Sequence, residues 1–318
     1  MKILVSINCT TYNHEDYIAD AIESFLMQKT NFHYEILIGE DCSTDNTREI
    51  IEEYARLYPE KIRIITSEKN VGPRQNSHRL LNHSKGKYIA ECEGDDYWTD
   101  PYKLQQQVEY MESHPNCSLC FHAAEIIKAP KKSTGKQIRP YKENQVSPIE
   151  DIISGGGGFC PTGSLLYPKK FMETPPDFYW KAHVGDYPMQ LILSSKGYTY
   201  YIDKGMAVYR IGVKGSWSSR LNEDKNFKEK MIEVYMGDIS VLTAFNTYTN
   251  LRYSMQIEKK IMKLEFEILL LKKDISELKS SKFKAYINEM GFKKRIEIYV
   301  KCHLPILYII LARMKINK

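Results

Sequence analysis

The 318-residue chain is predicted to be an α/β protein with a mostly parallel, Rossmann-like central sheet flanked by helices and a helical C-terminal extension. Three observations carry that prediction. Short apolar, β-branched runs alternate with segments of helical period through the first 130 or so positions, the pattern of βαβ units joined by right-handed crossovers. Several of these runs are continuously apolar, as strands covered on both faces are. Acidic and polar residues gather where the runs end. Composition agrees with a folded chain, since 42% of residues are hydrophobic and 27% charged, which argues against wholesale disorder.

The elements follow in order. "ILVSINCT" (3–10) reads as the first strand, and Ile18, Ala21, Ile22, Phe25 and Leu26 recur at helical spacing behind it. "YEILIGED" (34–41) is the second strand. A helix with Ser43 or Thr44 as its N-cap follows, with Ile50, Ile51, Tyr54, Ala55 and Tyr58 on one face. "IRIIT" (62–66), a helix around 77–83, the strand "KYIAECE" (87–93), a helix over 103–113 and the strand "CSLCFHAAEII" (117–127) complete the alternation. Beyond Ile127 comes a polar, Pro-containing loop, then "SGGGGFCPTGSLLYP" with a short strand at 164–167. From Asn222 the chain reads as helix, which divides it into 1–221 and 222–318. "IEKKIMKLEFEILLLKKDISELK" (257–279) has the heptad character of a coiled coil, so a homo-oligomer is one expectation.

Charge is uneven. Between Lys282 and Lys318 nine Lys and Arg stand against two Glu, on a chain whose formal net charge is +5. A basic end on a near-neutral body points to an anionic membrane surface rather than nucleic acid. The apolar core of "CHLPILYIILARMKINK" is too short to span a bilayer, which needs roughly 20 residues. With "GFKKRIEIYVK" before it, an interfacial helix fits better, the alternative being a helix packed on the protein itself. Seven scattered cysteines read as buried thiols in a reducing cytoplasm.

In an open parallel sheet, ligands bind beyond the carboxyl ends of the strands. Here those ends carry Thr11-Tyr12-Asn13, Glu40-Asp41 and Asp95-Asp96. No G-x-G-x-x-G or P-loop follows an early strand, so a dinucleotide or P-loop site is unsupported. Acids repel phosphate unless a divalent cation stands between them, and Mg²⁺ or Mn²⁺ is held by one or two carboxylates plus substrate oxygens. The competing reading of Asp95-Asp96 is a helix start, with Pro101 in its first turn.

"VSINCTTYNHEDYIADAIES", "EILIGEDCSTDNTREII", "NVGPRQNSHRLLNHSKGKYIAECEGDDYW" and "GDYP" occur in the order seen in family-2 glycosyltransferases, and the chain resembles that family from about residue 1 to 220. The resemblance implies a nucleotide-sugar-dependent, inverting, hexosyltransferase-type enzyme of GT-A fold, with residues 1–221 as its catalytic domain. It implies that Tyr12 packs near the nucleotide base beside Thr10 and Asn13. Asp41 would accept from a uracil N–H, next to Glu40 where relatives carry Asp. Asn70, Gly72 and Arg74 would approach the nucleoside, with Arg79 a further candidate there. The family's D-x-D element falls on Glu93-Gly94-Asp95-Asp96, its first acid being Glu here. Asp95 would then contact ribose, and Asp96 would hold Mg²⁺ or Mn²⁺ on the diphosphate.

The resemblance further makes Asp186 the base that deprotonates the acceptor hydroxyl. Read from the residues alone, Asp186 is equally a helix N-cap, with Pro188 in the first turn. Arg210 would grip phosphate, with Gly212 where relatives place a metal-binding His. "GVKGSWSS" (212–219) would form a lid whose Trp217 stacks on a sugar, and "SGGGGFCPTGS" would border the acceptor. The expected partners are a UDP-sugar donor and a glycan or lipid-linked acceptor in surface-glycan synthesis, at the inner face of the cell membrane. The alternatives are a non-catalytic nucleotide- or glycan-binding protein on the same scaffold, and a sugar nucleotidyltransferase.

Overall fold

The structure, a computed structural model, describes residues 2–292 and 295–296. In chain order the first half runs β1 (Ile3–Thr11), α1 (Ile18–Leu26), β2 (His33–Glu40), α2 (Thr47–Leu57), β3 (Ile62–Thr66), α3 (Pro73–His83), β4 (Tyr88–Glu91), β5 (Tyr97–Trp98), α4 (Lys103–Ser113) and β6 (Cys117–Lys128). Then come β7 (Lys132–Ile138), β8 (Gln145–Ser147), α5 (Ile149–Gly155), β9 (Leu166–Pro168), α6 (Asp177–Lys181), α7 (Asp186–Ser195) and β10 (Tyr198–Ile211). Helices close the described chain: α8 (Trp217–Glu223), α9 (Phe227–Tyr248), α10 (Ser254–Lys272), α11 (Ile275–Leu278) and α12 (Ser281–Asn288).

One sheet runs in the order β3-β2-β1-β4-β9-β6-β10-β5, with β7 beside β6 and β8 beside β10. Strands β3, β2, β1 and β4 are mutually parallel, as are β6 and β10, while β9 is antiparallel between β4 and β6. The central strand β1 shows why both faces are covered. Val5, Ile7 and Cys9 are wholly buried on one side, and on the other Ser6 and Asn8 are equally buried but hydrogen-bonded to Glu35 and Ser84, because a buried polar side chain needs a partner.

The expected α/β architecture is therefore present, with differences that have local causes. The polar stretch after Ile127 includes β7, which folds back on β6 as a hairpin. Helix α2 begins at Thr47 rather than at Ser43 or Thr44, because those residues are spent bracing the neighbouring turn, as described below. Asp95-Asp96 does not start a helix: Gly94 and Asp95 form a tight turn closed by the Asp96 N–H to the Glu93 carbonyl at 3.0 Å, and β5 follows at once.

Helices α9 and α10 pack Val241, Leu242, Phe245, Ile257 and Leu264 against Ile152, Ile153, Tyr187 and Leu191 of α5 and α7. The expected heptad run 257–279 is not one helix. Helix α10 stops at Lys273, which turns left-handed with φ 57°, and its Phe266 and Leu270 are covered by Leu278 and Phe283. Buried among residues of its own chain, that face is unlike a free coiled-coil seam. Among the described residues no helix is long and apolar enough to cross a membrane. The proposed interfacial segment "CHLPILYIILARMKINK" lies outside the described residues. Cys9, Cys92, Cys117, Cys120 and Cys160 are buried and unpaired, as expected, while Cys42 is partly exposed.

Candidate active site

Because β2, β1 and β4 are adjacent and parallel, their carboxyl ends meet at one edge of the sheet. There the Asp41 N–H donates to the Thr11 carbonyl, the Cys92 N–H to Asn8 and the Gly94 N–H to Thr10. These bonds carry the pairing past the strand ends and set the three polar clusters side by side. Gly94 is required by crowding within the protein, since a Cβ there would lie 2.7 Å from the Thr11 hydroxyl and 3.0 Å from the His14 ring.

The first two turns are tied together. Asn13, left-handed at φ 55°, accepts from the Thr44 N–H at 2.8 Å, and its own N–H donates to the Ser43 hydroxyl. Glu40 is fully buried and accepts from the Ser43 N–H at 2.6 Å, while its other oxygen has no hydrogen-bond partner. Asp41 accepts from the Val71 and Gly72 N–H groups, both at 2.9 Å, and from Ser67. It therefore shapes the 67–72 loop, which leaves part of one oxygen for a ligand N–H, because a carboxylate offers about four acceptor positions. Asn70 accepts from the same Gly72 N–H at 3.1 Å. Tyr12 projects from this wall with 41% of its surface exposed.

The third turn carries the densest charge. Asp96 accepts the Arg210 N–H at 2.7 Å, and Asp95 lies 3.9 Å from the His14 ring nitrogen. Burial, then the negative charges of Asp95 and Glu93, hold the Asp96 carboxyl well above its usual range, against the pull of Arg210. Glu93 is pushed up to about 8 by burial first, then by Asp95, Asp186 and Glu91.

Asp186 opens α7 as its first helical residue. Gly185, one residue earlier, occupies the N-cap position, which corrects the N-cap expectation for Asp186. Its carboxylate accepts from the Tyr187 N–H at 2.8 Å, and a helix N-terminus favours negative charge. Burial nevertheless raises its pKa. The glycine-rich loop lies directly against it: a Cβ on Gly157 would stand 2.8 Å from Asp186 Oδ2. From α9, Asp238 sits 3.4 Å from His183, and it is pushed up to about 6 by burial, partly offset by Lys260 and reinforced by Asp186. Lys260 of α10 donates to the Ser154 carbonyl at 2.7 Å. The sequence does not single out Asp238 and Lys260, since in a long helix with polar and apolar residues mixed around it nothing marks which polar residue faces a distant turn.

Two arginines do other work than the sequence suggested. Arg74, expected beside the nucleoside, has its guanidinium engaged instead with the carbonyls of Trp180, Ala182 and Val184. Arg210 is only 1% exposed and turned inward, donating to the Asp95 carbonyl, the Pro130 carbonyl and Asp20 between the rings of Tyr17 and Tyr97. A guanidinium with each nitrogen so engaged is not presented to a phosphate. Trp217 is half exposed on the first turn of α8, which Ser216 caps by accepting from the Ser219 N–H, so the 212–219 stretch is part loop and part helix. Gly212 and Gly215, at φ 76° and 81°, supply its bends.

Among the described residues no three His, Cys, Asp or Glu side chains are grouped as ligands of one ion. A Mg²⁺ or Mn²⁺ shared with a diphosphate needs only one or two protein carboxylates, so the hard oxygens of this mutually repelling cluster fit such an ion. A separate cleft of about 560 Å³, lined by residues 28–34 and Lys61, opens where β2 begins and holds no carboxylate.

The sequence profile of Glycosyl transferase family 2 matches residues 6–166. A putative teichuronic acid biosynthesis glycosyltransferase of Bacillus subtilis, TuaG, is 37% identical over 220 residues, 69% of this chain and 82% of that protein. An uncharacterized protein of Mycobacterium tuberculosis is 33% identical over 230 residues, 71% of this chain but 64% of its own length. Among solved structures, S. aureus TarS 1-349 in complex with UDP-GlcNAc superposes with a TM-score of 0.56 at 15% identity, covering 94% of this chain and 79% of that one. At that identity the likeness speaks for the fold, a GT-A sheet flanked by helices. The profile match and the TuaG alignment together place the chain in glycosyl transferase family 2.

Proposed function

We propose that the protein is an inverting glycosyltransferase that moves a sugar from a UDP-sugar to an acceptor hydroxyl in surface-glycan synthesis, with catalysis in residues 1–221. The observation that supports the reading is the carboxylate-bearing turn Glu93–Asp96 at the carboxyl edge of the parallel strands, with Asp96 held by the Arg210 N–H, together with Asp186 at the start of α7 against the glycine-rich loop. The UDP-GlcNAc held by TarS and the teichuronic acid assignment of TuaG support the donor and the pathway class.

In this reading the nucleoside rests against Tyr12 and the turns shaped by Thr10, Asn13, Glu40, Asp41, Asn70 and Gly72, and Asp95 takes a ribose hydroxyl. Asp96 would hold Mg²⁺ or Mn²⁺, which when bound supplies Lewis-acid stabilisation of the leaving diphosphate. Asp186 accepts the proton of the acceptor hydroxyl as its oxygen attacks the anomeric carbon from the face opposite the leaving UDP. Burial, which raises the pKa of Asp186, makes that carboxylate a better proton acceptor than an exposed one. Trp217 is available to stack on a sugar ring. Arg210 acts one step back, fixing Asp95 and Asp96 through its N–H and guanidinium.

Thermal unfolding with a panel of nucleotide-sugars and Mn²⁺ tests this, because a ligand that binds only the folded state raises apparent stability. A UDP-sugar should raise the midpoint and then release UDP on incubation; no shift with any nucleotide-sugar counts against the reading. The basic 282–318 stretch supports a place on an anionic membrane at the cytoplasmic face. The full chain should cosediment with phosphatidylglycerol vesicles and release them once residues 291–318 are removed; no cosedimentation of the full chain would contradict the membrane placement, and binding that survives the truncation would contradict the role of the basic stretch.

A further inference from the structure

The residues that deliver Asp186 to the crevice have little regular structure of their own. Helix α6 ends at Lys181, and residues 182–185 run irregularly into α7. Carbonyls at such a junction are unsatisfied by the helix ladder and need other partners. One side chain supplies three. Arg74 Nη1 donates to the Trp180 carbonyl at 2.6 Å, and Nη2 donates to Ala182 and, at 3.1 Å, to Val184. The guanidinium also lies over the Tyr179 ring, 5.9 Å from its centroid, and His78 of the same helix meets Trp180 edge-on at 4.7 Å. A planar fork with fixed donors can hold alternate carbonyls of an irregular strand at once, which a single ammonium cannot.

The other end of this contact is equally defined. Arg74 is the second residue of α3, and the two residues before that helix, Val71 and Gly72, give their N–H groups to Asp41. One helix start is therefore bonded to the Asp41 turn on one side and to the approach to Asp186 on the other. The segment's far side is met by α9, where Asp238 faces His183.

We propose that Arg74 is a positioning residue that locks the segment carrying Asp186 to helix α3, and through it to the Asp41 turn. The proposal rests on Asp186 being the base, and its test separates the two ideas. Amide hydrogen exchange is followed over residues 179–187 in the parent, Arg74→Ala and Arg74→Lys, together with UDP affinity in Mn²⁺ and UDP release from UDP-glucose and UDP-N-acetylglucosamine. In Arg74→Ala, exchange over 182–187 should quicken about tenfold or more while the strands keep their protection, as expected for a local opening. UDP release should slow about tenfold at unchanged UDP affinity, the signature of lost alignment rather than lost ground-state binding. Arg74→Lys should recover part of both, and it carries the same reading if the alanine variant does not fold. Unchanged exchange over 182–187 overturns the proposal, as does a loss of UDP affinity that matches the loss of turnover, which would make Arg74 a nucleotide ligand. A parent protein that releases no UDP from either sugar counts against the proposed function, and the exchange result then decides on Arg74 alone.

Discussion

On one wall of the crevice, Asn13 reaches Thr44 and Asp41 reaches Gly72, each across 31 residues, the length of one βα unit. On the other wall, the segment leading to Asp186 is held by Arg74, more than a hundred residues away, and by Asp238 of a C-terminal helix. The first wall is built from a repeating frame in which each turn braces the next. The second is assembled from pieces that only the complete fold brings together. A change on the first wall should disturb binding of the nucleotide, whereas a change on the second should disturb turnover and leave binding alone.

The largest expected effect sharpens that contrast. Asp186→Asn should keep UDP affinity and lose transfer by about 10²- to 10⁴-fold, the usual range for removing a general base. Steady-state UDP release against acceptor checks it, and near-normal turnover would remove Asp186 from the mechanism. Gly157→Ala should come next. Its added Cβ would press within 2.8 Å of Asp186 Oδ2, and the resulting displacement should slow turnover about tenfold with UDP affinity intact, because misalignment alone can cost up to 10²-fold. If UDP affinity falls instead, the two walls are not separable.

The smallest effect concerns stability and belongs to the acidic turn. Glu93 is pushed up to about 8 in the folded protein from an unfolded value near 4.5. Between those values the folded state holds more protons than the unfolded state, so stability falls as pH rises. Its contribution is fully present below the unfolded value and lost on passing the folded one. The melting temperature without metal should therefore decline by several degrees between pH 5 and pH 9, and Mn²⁺ should restore part of it at the alkaline end. A midpoint that rises with pH over this window would mean the cluster is compensated from within.

This contrast also explains what could be read from the sequence. Strands β1 to β4 and β6, and the polar turns at their ends, follow from apolar periodicity and from the rule that parallel sheets bind at their carboxyl edge, whereas β5, β7, β8 and the long β10 (Tyr198–Ile211) do not. Asp41, Asp95 and Asp96 stand out because each follows a strand end that its own neighbours predict, whereas Asp186 stands out only through the resemblance of "GDYP" to a family motif. Side-chain direction could not be read. Arg74 and Arg210 stand in motif-like stretches, yet their partners are main-chain carbonyls of Trp180, Ala182, Val184, Asp95 and Pro130, and a carbonyl leaves no mark in a sequence. Asp238 and Lys260 escaped notice for a related reason. Their helices mix polar and apolar residues around the axis, and only tertiary packing selects which polar residue approaches the glycine-rich loop.

Calorimetry of UDP binding, with and without Mn²⁺, to the parent, Asp96→Ala and Asp186→Asn tests the division of labour most directly. The parent and Asp186→Asn should bind UDP alike and more tightly with Mn²⁺, while Asp96→Ala should lose the metal-dependent part of the affinity. Equal, Mn²⁺-enhanced binding by Asp96→Ala, or loss of UDP binding by Asp186→Asn, would contradict it.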